Sequence, residues 1–131
     1  MFRIGTSGFS YDDWRGRFYP PGLPRERFLE HYSRHFPAVE LNFTHYRPPQ
    51  AHMLARMLER SGGRVEFVVK APREITHERQ DAAPIAAGLV EAVRPLEEAG
   101  KFGAFLCQFP YSFRPGPAAR DTVAALRALL D

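Results

Sequence analysis

The stretch VELNFTHYRPP, from Val39 to Pro49, sets a carboxylate, a carboxamide and a hydroxyl at every second position: Glu40, Asn42 and Thr44. Side chains alternate along a strand, so a strand here turns these three one way and Val39 and Leu41 the other. Three hydrogen-bonding groups on one face, followed by His45, Tyr46 and Arg47, suit a ligand site at the end of a barrel strand. A solvent-washed antiparallel edge carries the same pattern. Other polar residues fall at matching places: Thr6-Ser7-Gly8, Lys70 and Gln108 each close an apolar run. Glu40 beside Lys70 would stay ionised and could orient a substrate hydroxyl; the same two groups can also form an inert buried pair. His77, in REITHER, follows the third apolar run, where an imidazole suits general acid or base work.

The long segment GFSYDDWRGRFYPPGLP carries Phe9, Tyr11, Trp14, Phe18 and Tyr19 with Arg15 and Arg17. Long loops after barrel strands are usually functional. Aromatics interleaved with Arg suit stacking on a sugar or base together with a phosphate contact. Trp14 and Phe18 read as packing residues, because large aromatics dominate packing; Arg15 reads as the ligand contact. His31 and His35 stand at i, i+4 spacing but have no matching Glu motif, so they read as a solvated helix face. Cys107 is the single cysteine and reads as a small core residue. There is no glycine-rich phosphate loop, no Gly-x-Ser-x-Gly elbow and no cysteine pair.

Positioning these residues falls to four repeats of strand then helix. The strands are expected at Phe2–Ser7, Val39–Asn42, Val65–Lys70 and Phe102–Gln108. Helices are expected over Pro24–Phe36, through PPQAHMLARMLERSGG with Gly62-Gly63 as its stop, from an Asp81 cap to about Ala99, and over Pro117–Leu130. APREITHERQ reads as a loop. Such alternation without hairpin signals predicts an α/β fold of parallel strands with helical crossovers. In these folds chemistry gathers at the carboxyl ends of the strands.

The 131 residues suit one domain over 1–131, and a composition 44% hydrophobic and 25% charged excludes disorder. A formal net charge of +3 is too small to argue for nucleic acid by itself. The start MFRIGTSGF reads as a strand rather than a secretion signal, and no run approaches the ~20 apolar residues of a membrane span. A cytoplasmic protein without a membrane partner is expected.

Taken together, IGTSGFSYDDWRGRFYP, VELNFTHYRPP, FVVKAPREITH and LCQFPYSF resemble the YecE-like family, also called domain of unknown function 72. The resemblance covers nearly the whole chain and implies a (β/α)8, TIM-barrel-like fold. About 250 residues are typical of such a barrel, so this chain is expected to form its first half, with about four strands. The resemblance carries Glu40, Asn42, Thr44 and Tyr46 into the second-strand block, where His45 replaces the family's usual Phe and is set aside. Lys70, Thr76 and His77 match the third-strand block; Gln108, Phe109 and Pro110 match the fourth. A Glu-x-Arg block and an Arg-x-His-Gly block, which family members carry further on, do not occur before Asp131. A fragment of a longer product, or a half-barrel that pairs to close, is therefore expected.

The functional expectation is a barrel hydrolase or isomerase acting on a phosphorylated sugar or nucleic-acid-related ligand. Glu40, Lys70 and His77 carry the chemistry. Ser7, Tyr11, Arg15, Asn42, Thr44, Tyr46 and Gln108 line the ligand. A divalent metal fits by fold-level analogy alone, and no metal-ligand set is assigned. The alternatives are a non-catalytic module for nucleic acid or a phosphate ligand, and an inactive truncated fragment. Open barrel edges predict self-association.

Overall fold

A computed structural model describes residues 2–79 and 82–131. Four strands form one parallel sheet in the order β1-β2-β3-β4: β1 Gly5–Ser7, β2 Ala38–Leu41, β3 Glu66–Lys70 and β4 Phe102–Leu106. Between and after them lie α1 Phe28–Tyr32, α2 Ala51–Arg60, α3 Ala82–Glu98 and α4 Pro117–Leu130. The expected alternation and parallel order are present, and no antiparallel pair occurs among the described strands.

Alternation along the strands decides which face the helices cover. Val39, Leu41, Phe67 and Val69 are buried and join Leu29, Leu54, Leu89, Val93, Leu96 and Leu126 from the helices in one core. Burying each such side chain contributes about 1.5–3 kcal/mol. The opposite, inner face carries Ser7, Glu40, Val68 and Ala104 in one registered row, with Lys70 and Leu106 two residues further along. Between Phe67 and Val68 the pairing slips, leaving Gly103 as an extra residue on β4. A β-carbon at Gly103 would stand 3.0 Å from the Glu66 carboxylate, so glycine suits this bulge.

Several boundaries differ from the expected ones. β1 starts at Gly5, leaving Ile4 72% exposed. The first helix is a 3-10 turn, Arg25–Arg27, followed by the five residues of α1. β2 ends at Leu41; Asn42 turns into the helical region and Phe43–His45 form a 3-10 turn. β4 stops at Leu106, so Gln108 lies beyond it. The expected loop after β3 contains a π-helical turn, Glu74–Glu78, pinned by fully buried Ile75 and Thr76 and closed by Arg79 at φ 55°. The Asp81 cap lies outside the described residues.

Candidate functional site

The carboxyl ends of β1 and β2 share a hydrogen-bonded chain. Asn42 Nδ2 donates to Ser7 Oγ, and Ser7 Oγ donates to Glu40 Oε1 at 3.0 Å. Tyr11 folds back so that its hydroxyl donates to the Ser7 carbonyl at 2.6 Å. This return needs Gly8, at φ +80°, because a β-carbon there would lie 2.3 Å from the Tyr11 hydroxyl. Gly8, Ser10, Tyr11, Glu40 and Asn42 thus border a cleft of about 240 Å³. Lys70 lies on the same inner face, one strand over, and Glu40 takes its hydrogen bond from Ser7 rather than from Lys70.

Thr44 corrects the reading of the strand face. The chain has left β2 by then, so the period of two no longer applies. Its side chain is 0% exposed, and its hydroxyl lies 2.7 Å from the Leu41 carbonyl and 2.6 Å from the Lys70 carbonyl. It ties the end of β2 to the end of β3 and is out of reach of a ligand.

Arg15 is the second correction. Its Nη1 donates to the Leu23 carbonyl at 2.6 Å and its Nε to Asp12 at 3.1 Å, while the guanidinium sits 4.7 Å from the Phe28 ring centroid. Those contacts brace the first loop internally. Around it, Trp14 and Phe18 pack as expected: Phe18 meets Tyr19, Tyr32 and Phe36 in tilted and edge contacts, and Tyr19 stacks on Phe28 at 3.9 Å. Burial, then the neighbouring Tyr32, holds the Tyr19 phenol well above its ordinary pKa. His31 and His35 lie 4.7 Å apart and both pack on the Phe18 ring.

His77 hangs from the π-helical turn, exposed, with Nδ1 2.8 Å from Thr76 Oγ1. Its pKa lies below the ordinary imidazole value, pushed down first by desolvation and then by His45, Arg73, Lys70 and Arg79. Arg73 is paired with Glu78 at 3.1 Å. Beside His77 stands His45, which the sequence reading set aside. Their ring centroids are 5.0 Å apart, and His45 Nδ1 lies 3.2 Å from the Ala71 carbonyl oxygen. The available signal was topological: neighbouring parallel strands bring the loops after them together. Tyr46, 80% exposed, packs edge-on to His45, while Gln108 is exposed past the end of β4.

Among the described residues no three His, Cys, Asp or Glu side chains gather to hold a metal ion. A further, mainly apolar cavity of about 340 Å³ lies between β4 and α4, lined by Phe102, Phe105, Cys107, Leu126 and Leu130. It lies on the helix side of the sheet, away from the polar groups. Burial pushes the Cys107 thiol pKa up, as suits a core cysteine. No helix among the described residues is long and apolar enough to cross a membrane.

Comparison with known proteins follows the same pattern. UPF0759 protein YunF of Bacillus subtilis (strain 168) is 27% identical over 133 residues, taking in 97% of this chain and 45% of that protein. A DUF72 family protein of Thermotoga maritima MSB8 superposes with a TM-score of 0.82 at 33% identity, over 97% of this chain and 51% of its own. One from Enterococcus faecalis V583 shares the fold, with a TM-score of 0.77 at 23% identity over 98% and 47% of the two chains. This chain therefore spans about half the length of these relatives, and its open four-stranded sheet corresponds to half of a TIM-barrel-like fold. The family model for "Protein of unknown function DUF72" matches residues 3–131, and the chain belongs to that family.

Proposed function

We propose that the carboxyl end of this sheet binds a phosphorylated sugar or a nucleic-acid-related ligand and acts on it as a hydrolase or isomerase. The observation that carries the reading is the Asn42–Ser7–Glu40 chain on the same inner face as Lys70, at the strand ends where barrels build their sites. Lys70 neutralises the phosphate, Glu40 orients a ligand hydroxyl and His77 faces the reacting end. Calorimetry with inorganic phosphate and ribose 5-phosphate at low salt tests this reading. Lys70→Ala is expected to weaken both by tenfold or more; equal affinity in the two proteins would overturn the reading.

A second reading, a non-catalytic binding module, is favoured by one observation. Tyr46 and Tyr111 are 80% and 86% exposed, and the Arg114 guanidinium lies 4.2 Å from the Tyr111 ring centroid. Such aromatic platforms stack single-stranded bases for about 1–3 kcal/mol each. Oligonucleotide affinity that falls steeply with salt and drops in Tyr111→Ala supports this reading over the first.

A further inference from the structure

His45 and His77 each have one ring nitrogen committed to the protein, and the two commitments are opposite in kind. His45 Nδ1 faces the Ala71 carbonyl at 3.2 Å. A carbonyl oxygen only accepts, so Nδ1 carries the proton and Nε2 of the neutral ring is a lone pair. His77 Nδ1 faces Thr76 Oγ1 at 2.8 Å. Thr76 is 0% exposed, and this is its hydroxyl's one hydrogen bond among the described residues. A buried hydroxyl proton needs an acceptor, so Thr76 donates to Nδ1 and the His77 proton sits on Nε2.

We infer that His45 and His77 form a base–donor pair of opposite tautomers. In it, His45 Nε2 removes a proton from the ligand and His77 Nε2–H holds the ligand oxygen on which charge develops. The inference rests on the reading of this face as the ligand site, and it reassigns roles within it. Desolvation first, then His45 and the cationic neighbours Arg73, Lys70 and Arg79, favour the neutral form of His77. A neutral imidazole that gave up its only N–H proton would become an imidazolate, so His77 holds charge and does not transfer a proton. Neutral His acting as an electrophile is a known arrangement in a barrel isomerase.

The ligand class that uses such a pair is a phosphorylated hydroxy-aldehyde or hydroxy-ketone. The C–H bond beside the carbonyl breaks as the His45 Nε2–H bond forms. The electron pair moves into the new carbon–carbon double bond, and the carbonyl pair moves onto oxygen, against His77 Nε2–H. Within the enediolate the hydroxyl proton crosses to the oxyanion; the proton on His45 then returns to the former carbonyl carbon as the pair on the other oxygen closes the new carbonyl, so the sugar is isomerised with no co-reactant.

Long-range proton–nitrogen correlation spectra of the nitrogen-15-labelled chain at pH 8 read the tautomers directly. The expected result is Nδ1–H on His45 and Nε2–H on His77; either ring in the reverse form overturns the pair. Thr76→Val is expected to shift His77 toward a tautomer mixture and Thr76→Ser to restore it, while His45 is unaffected. An unchanged His77 in Thr76→Val removes Thr76 as the positioning residue; if that variant does not fold, the wild-type and Thr76→Ser spectra decide. Triose, pentose and hexose phosphates in deuterium oxide are expected to exchange the C–H beside the carbonyl, at least tenfold more slowly in His45→Gln. Exchange in none of them overturns the substrate class. Inorganic phosphate separates the two levels: phosphate binding with the wrong tautomers sinks only the pair, and no phosphate binding sinks the site.

Discussion

The loop after β1 and the paired loops after β2 and β3 draw on similar residues, yet they treat their polar groups differently. In the first loop, Arg15 is tied to Asp12 and the Leu23 carbonyl, and the Tyr19 hydroxyl donates to the Phe9 carbonyl. In the other two, His45 and His77 each bind the protein through Nδ1. Composition made the first loop look like the ligand loop. The hydrogen bonds make it a brace, and leave ring nitrogens for a ligand on its neighbours. A residue's usefulness to a ligand depends on the donors and acceptors left after folding.

The largest effect should come from unseating the brace. Tyr19→Ala removes a ring stacked on Phe28 and a buried hydrogen bond, and is expected to cost about 3–5 kcal/mol in urea denaturation. A loss below about 1 kcal/mol would show that the first loop is not a brace.

Thr44→Val keeps the shape and deletes the hydroxyl between the Leu41 and Lys70 carbonyls. It is expected to cost about 1–3 kcal/mol, because buried acceptors lose their donor. Arg15→Ala should cost less, about 1 kcal/mol, since the side chain is partly solvated. It should leave phosphate affinity within twofold. A large drop in affinity with little change in stability would return Arg15 to the ligand.

The smallest effect lies at His77. Its folded pKa is below the ~6.5 of an unfolded chain. Between the two values the unfolded chain binds more protons. Stability is therefore full above about pH 6.5 and declines as pH falls through the window beneath it. His77→Gln should flatten that decline in urea midpoints measured from pH 8 to pH 5. Equal slopes in both proteins would mean that folding does not lower the affinity of this ring for its second proton.

Much of this was legible in the residues. Four β-branched or aromatic runs separated by helical spacing left parallel strands as the economical reading, and the period of two put Glu40 on the inner face. Asn42 and Ser7 were legible as strand-end polar groups, although not as partners of one another. Thr44 was misread because periodicity says nothing about where a strand stops. Arg15 was misread because its acceptors are backbone carbonyls, which have no residue signature. His45 was passed over because it stands where the family usually carries Phe, and only the strand order joins it to His77.

The ends of β2 and β3 also differ from a plain sheet edge. Past Leu41, successive carbonyls of the neighbouring segment, Lys70 and Ala71, are met by side chains from Thr44 and His45. The ladder between the strands is continued by two side chains after its backbone rungs run out. Replacing Thr44 with an apolar residue takes a donor from two carbonyls, those of Leu41 and Lys70, whereas replacing His45 takes one from Ala71 alone. The second change is the milder for the fold, and its cost falls instead on the proton chemistry assigned to His45 Nε2.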